Sequence, residues 1–240
     1  MTHTRLIRVA AAGTIAAAVA LVVAGSTAAD PPPLHDFVAA AVAIPVTPGS
    51  NADDNAIRFE TAHGRSAKID GIATASLSCG GCSAHAFTVQ IVYVPHTRAV
   101  IADNVATAWA SQCAGCTGWA VSLQIVVARS ADAVTAANRA LSFTTVCDHC
   151  NVRAAAVQII VVAASDRQLT PGQQDSLQAL YNRFADALLP AASPHVGGAS
   201  AAQAMPNQAA TAITATASQI QAMVAASLHA TSATHSVAVR

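Results

Sequence analysis

Glu60 is the only glutamate in this 240-residue chain, and Lys68 the only lysine. Charged side chains make up 10% of the residues and aromatic ones 4%. Several function classes fall with these shortages. A paired-carboxylate site would have to be built from aspartates, and their spacing singles out none. No Gly-x-Ser-x-Gly elbow, phosphate-cradling glycine loop or HExxH zinc helix occurs. His35, His63, His96, His195, His229 and His235 are scattered and form no ligand spacing. These absences lead to the expectation of a non-enzymatic protein that needs no cofactor.

Long apolar runs are also missing beyond the N-terminus. Arg5 and Arg8 precede an apolar run from Val9 to Val23, and the small residues Gly25 to Ala29 follow before Asp30 and three prolines. The run falls short of the roughly 20 residues that a spanning helix needs. Residues 1–29 therefore read as a cleaved secretory signal peptide. No cysteine stands near the cleavage point, so lipid attachment there is not expected. The expected mature chain keeps ten basic residues against twelve acidic ones. That balance argues against nucleic acid and anionic membranes as partners. An exported protein, secreted or held in the extracytoplasmic envelope with no membrane span, is the expectation.

Six cysteines are present, and they carry the clearest pattern. Cys79/Cys82, Cys113/Cys116 and Cys147/Cys150 are CxxC pairs that recur every 34 residues. Gln90, Gln124 and Gln158 keep the same step and open QIVYV, QIVVA and QIIVV. Two independent markers at one period establish an internal repeat. After each CxxC the chain alternates. His85, Phe87, Val89, Ile91 and Tyr93 form a bulky side, while Ala86, Thr88, Gln90 and Val92 form a small one. Trp119 to Val127 and Val157 to Val161 repeat this, as strands with two unlike faces do. The segment before each CxxC reads as a strand, because Phe143-Thr-Thr-Val146 is a poor helical ending. The expected class is thus mainly β: three 34-residue β-hairpins with CxxC at the tips, plus one C-terminal helix. The alternative is an α/β repeat.

The flanks are plainer. Residues 30–56 read as a Pro/Ala-rich lead-in and 57–190 as the repeat domain. A closing helix over 171–189 starts at Thr170-Pro171 and carries Leu177, Leu180, Tyr181, Phe184 and Leu188. Residues 191–240 read as a low-complexity tail, mostly disordered or weakly helical. Ile213, Ile220, Val224 and Leu228 would make a narrow stripe if that tail were helical.

Asn104, Ala106 and Ala108, followed by Cys113/Cys116 and Gln124-Ile-Val126, resemble a repeat of exported actinobacterial proteins. They are also similar to the extracytoplasmic tail of proteins labelled peptide zinc metalloproteases. Asn138 and Ala140 match in the next unit, where Ser142 departs. In the first unit Asp70 stands at the Asn position, and Ala73 and Ala75 fall off register. The resemblance covers roughly residues 51–189. It implies an exported setting and no activity.

Three roles compete for the thiols. Local disulfides suit an oxidising compartment, and each closure of so short a loop contributes about 2 kcal/mol. Zinc held by two CxxC knuckles is the second, although zinc pairs usually lie only about 15–20 residues apart. Thiol–disulfide exchange is the third, with Cys147/Cys150 beside His149 the best placed and Asp148 opposing a thiolate. Disulfides at all six positions are the expectation. Gln90, Gln124 and Gln158 are expected to stack as a structural ladder. The whole reads as a structural, adhesive or partner-binding envelope protein that self-associates or docks to another envelope protein. An extracytoplasmic thiol–disulfide or zinc-binding protein is the alternative.

Overall fold

The computed structural model describes residues 35–130, 133–186 and 207–240. The expected signal peptide lies outside the described residues. Eight strands run in sequence: β1 (His35–Ala43), β2 (Asn51–Thr61), β3 (Ser66–Leu77), β4 (Ser83–Val94), β5 (Ala99–Ala114), β6 (Thr117–Ala128), β7 (Val134–Asp148) and β8 (Asn151–Ala163). Helices α1 (Pro171–Asp186) and α2 (Asn207–Ser227) follow, and β9 (Ala230–Val239) closes the chain. The protein is mainly β, as expected, and it is a β-solenoid of four turns.

The two arms of each CxxC unit do not pair with each other, which corrects the hairpin. Odd strands form one parallel sheet, β1-β3-β5-β7, and even strands the other, β2-β4-β6-β8, with β9 added antiparallel to β8. Each residue thus pairs with its equivalent one turn away, such as Cys113 with Cys147 and Gln90 with Gln124. The fixed step makes this possible, since identical side-chain patterns superpose when parallel strands stack in register. The arms instead meet face to face. Their inner residues are mostly alanine, among them Ala73, Ala75, Ala84, Ala86, Ala106, Ala108, Ala120 and Ala154. Cα atoms of β3 and β6, and of β5 and β8, therefore approach within 8 Å. Sheets carrying larger side chains pack about 10 Å apart.

Two flanking readings also change. The lead-in supplies β1 and β2, which complete a first turn before the cysteines begin. Of the expected tail, 191–206 lie outside the described residues, but 207–227 form α2 and 230–239 form β9. Ile213, Ile220, Val224 and Leu228 are all buried. Their stripe packs with Leu177, Tyr181 and Phe184 of α1 against the bulky outer face of β4, β6 and β8. The apolar target absent from the sequence of the tail alone lies on that sheet. Helix α1 begins where expected, and the Gln173 side chain accepts from the Thr170 N–H at 2.8 Å, which is one half of a capping box. The expected residues 187–189 of that helix lie outside the described ones.

Candidate functional site

All three CxxC pairs sit at one corner of the solenoid, where an odd strand hands over to an even one. Cys79–Cys82, Cys113–Cys116 and Cys147–Cys150 each lie at disulfide distance, with Cα atoms 5.6, 6.4 and 5.9 Å apart. The corner needs a left-handed residue in every turn. Gly49 (φ 74°), Gly81 (φ 66°), Gly115 (φ 67°) and His149 (φ 54°) supply it. Glycine adopts that conformation without a Cβ clash, so His149 is the costly substitute. The Gly81 N–H donates to Ala114 O and the Gly115 N–H to Asp148 O, which stitches the corners into a column.

The first turn has no cysteines, yet its corner is the same device. Thr47-Pro48-Gly49-Ser50 stands where later turns carry CxxC. Ser50 Oγ donates to Thr47 O at 2.6 Å and accepts from the Thr47 N–H at 3.3 Å, closing the corner with hydrogen bonds. The Cys79 and Cys82 sulfurs lie 3.5 and 3.2 Å from Pro45 O and Thr47 O of this turn.

Turns three and four are closer neighbours. Cys113 Sγ lies 3.3 Å from Cys147 Sγ and 3.5 Å from Cys150 Sγ. Cys113, Cys116 and Cys150 are buried, and Cys147 is half-buried. A surface cleft lined by Gly80, Gln112, Cys113, Ala114, Val146, Cys147 and Asp148 opens beside them. Gln112 (φ 53°) and Val146 (φ 50°) are left-handed as well. They are the extra residue by which these two turns exceed the one before. Along β3 and β5 the pairing step is 33 residues, from Ser66↔Ala99 to Leu77↔Ala110, and only the cysteines return to 34.

The glutamines form one column inside the solenoid. The Gln124 amide donates to Gln90 Oε1 at 3.1 Å, and the Gln158 amide to Gln124 Oε1 at 2.7 Å. Each also reaches across to the opposite sheet: Gln90 to Phe37 O, Gln124 to Ile69 O, and Gln158 to Ala102 O, all at 3.2 Å. A buried amide must find such partners, so the column ties the two sheets together.

Sequence reasoning missed a second amide column on the facing strands. Asn104 Nδ2 donates to Asn138 Oδ1 (2.9 Å), Ser122 O (3.1 Å) and Val157 O (2.9 Å). Asn138 Nδ2 donates to Ala156 O and Ser236 O. The 33-residue step places Gly71, not Asp70, opposite Asn104, and brings Ala73 and Ala75 level with Ala106 and Ala108. A Cβ on Gly71 would stand 2.8 Å from Asn104 Oδ1. The signal was the shared 34-residue step of Asn104 and Asn138.

The two outer faces differ. Helices bury that of the even-strand sheet, including Ile91, Leu123, Ile125 and Ile159. The odd-strand face has no helix over it among the described residues, and Val38, Val42, Ile44, Ile101, Leu141 and Phe143 are 43–53% exposed there. Trp109 and Phe143 stack at 6.0 Å. Lys68 pairs with Asp70 at 2.5 Å and Arg139 with Asp103 within the face, and Asp36 is exposed beside Lys68 in the ladder. Comparison with family models, curated proteins and solved structures gives no match.

Proposed function

We propose that this is an exported, non-enzymatic scaffold of the cell envelope, which binds another envelope component through the exposed face of its odd-strand sheet. One observation carries the reading: the contrast between the outer faces. A solenoid needs both sheets to close its core, but among the described residues only one outer face is covered by helices. The other presents Val38, Val42, Ile101, Leu141 and Phe143 about half-exposed among threonines and paired charges, with Trp109 stacked on Phe143, on a hydrogen-bonded scaffold; an exposed mixed face of this kind suits a binding surface. Pairing of Lys68 with Asp70 and of Arg139 with Asp103 leaves little to repel an uncharged or apolar partner. Cysteine pairs at disulfide distance are consistent with an oxidising compartment. Among the described residues no helix is long and apolar enough to cross a membrane, which fits attachment by contact.

Retention on isolated envelopes tests this. The exported protein should sediment with the envelope fraction. Leu141→Glu/Phe143→Glu should remain folded and pass into the supernatant. Equal retention of both proteins, or none of the parent, would refute the proposal.

A further inference from the structure

The 34-residue gap between cysteine pairs is long for a zinc site when it is read along the chain. In space that gap is a single solenoid turn. Cys113 and Cys147 are direct partners in the β5–β7 ladder, and Cys113 Sγ lies 3.3 Å from Cys147 Sγ and 3.5 Å from Cys150 Sγ. The sulfurs of Cys113, Cys116 and Cys150 all lie within 4.8 Å of one another. Four thiolates around one zinc, with Zn–S near 2.3 Å, stand about 3.8 Å apart. Two stacked corners therefore already gather three sulfurs at the spacing of a tetrahedral site, with Cys147 Sγ beside Cys113 Sγ as the fourth.

We propose that the corner formed by Cys113, Cys116, Cys147 and Cys150, once its two bridges are reduced, is a four-thiolate site for a soft d10 cation such as Zn2+. Each bridge takes two electrons and two protons from a dithiol, which is itself oxidised to its disulfide. Metal binding then releases the four thiol protons. Burial of three of the sulfurs keeps them from water, while the cleft beside Cys113 and Cys147 gives the ion an entry path. Three left-handed non-glycine residues, Gln112, Val146 and His149, border the site. Strain of this kind clusters where a backbone is held for function. The first pair is left out by spacing: the close thiol cluster among the described residues is Cys113, Cys116 and Cys150, and the turn on the far side of Cys79 and Cys82 carries Thr47 and Ser50 in place of cysteines. The site does not depend on the binding face: it lies at the corner where β5 and β7 end, while that face is the outer surface along the bodies of the odd strands.

The full chain, reduced with a dithiol and freed of it under anaerobic conditions, would be titrated with Co2+ and then Zn2+. The account expects one Co2+ per chain, with the sulfur-to-cobalt charge transfer and strong ligand-field bands of tetrahedral thiolate, displaced by Zn2+. With Zn2+ bound, alkylation and peptide mapping should find Cys79 and Cys82 modified and the other four protected. Cys79→Ser/Cys82→Ser should keep the one-to-one stoichiometry, and Cys147→Ser/Cys150→Ser should take it to zero. No binding overturns the proposal, as does any other protection pattern. A reduced chain that had lost its fold would protect the three pairs alike, and that too would overturn it.

Discussion

At the residue scale, the interior is set by small side chains and a few amides that must all be satisfied. Gly71 leaves room for the Asn104 side chain, so Gly71→Ala should cost about 1–3 kcal/mol through overpacking. Gly172, in the first turn of α1, has open space around it. Gly172→Ala should be neutral or stabilising by up to about 1 kcal/mol. Urea denaturation of the two variants reads both signs. Replacing Gln124 by Leu would leave the Gln158 amide with Ala102 O alone and remove the donor to Gln90 Oε1, Ile69 O and Asp103 O, at about 1–3 kcal/mol for each group left unpaired. The triple change of Gln90, Gln124 and Gln158 to Leu should cost less than the three single losses summed, because the orphaned partners within the column disappear together.

Two tyrosines give a pH signature. Burial raises the Tyr181 hydroxyl well above the ordinary phenol range. Burial also raises Tyr93, partly offset by the hydrogen bond that its oxygen accepts from the Leu169 N–H at 3.0 Å. A raised folded-state value favours the neutral phenol, so this stability is whole below the unfolded phenol's pKa of about 10 and is lost as the pH climbs from there toward the folded values. Melting temperature should therefore fall above pH 10. Tyr181 Oη is buried with no hydrogen-bond partner among the described residues. Tyr181→Phe should be neutral or stabilising by about 1 kcal/mol at pH 7 and should blunt the alkaline loss.

At the element scale, the strands of turns two to four were legible because each carries its own period-two pattern and a marker at a fixed step. Their pairing was not. A hairpin and a solenoid turn share the same alternation within a unit, and only the contacts between units separate them. The decisive clue was the inner face: Ala84, Ala86, Ala106 and Ala108 are too small to fill a core against bulky side chains, and they require an equally small face opposite. The first turn was hidden because Thr47 and Ser50 replace the cysteines that marked the others. Helix α2 was hidden for a different reason. Its stripe is apolar enough to bury, but its weak caps and absent charge pairs give no sign of stability until the outer face of β4–β8 is there to receive it. The glutamine column could be read from its shared step, whereas the Asn104–Asn138 column was obscured by Gln112, the residue gained between Ala110 and Cys113 relative to the turn before.

Strand β9 also has a consequence. It covers β8, whose sequence NVRAAAVQIIVVA is almost wholly apolar, and the Arg240 and Ala154 backbones exchange hydrogen bonds at its end. Such an edge left bare is a template for pairing with another chain. Ending the chain at His229 should turn a discrete species into one that grows with concentration in light scattering. An unchanged monomer would show that β9 does not guard this edge.

At the scale of the whole molecule, the described residues form a two-sheeted solenoid with helices over one outer face and none over the other. Local disulfides of about 2 kcal/mol each pin three of four corners, while the first is closed by Ser50 alone. Reduction should lower the melting temperature of the protein without abolishing its fold, since the strands hydrogen-bond independently of the corners. That side-to-side asymmetry is the basis of the functional account.

The most direct test of the proposed envelope contact is hydroxyl-radical footprinting of the protein mixed with isolated envelopes, compared with the protein alone. Trp109, Leu141 and Phe143 should lose reactivity on the envelope, whereas Phe59, exposed on the other sheet, should keep its own. Equal labelling of Trp109, Leu141 and Phe143 in the two states would contradict the account.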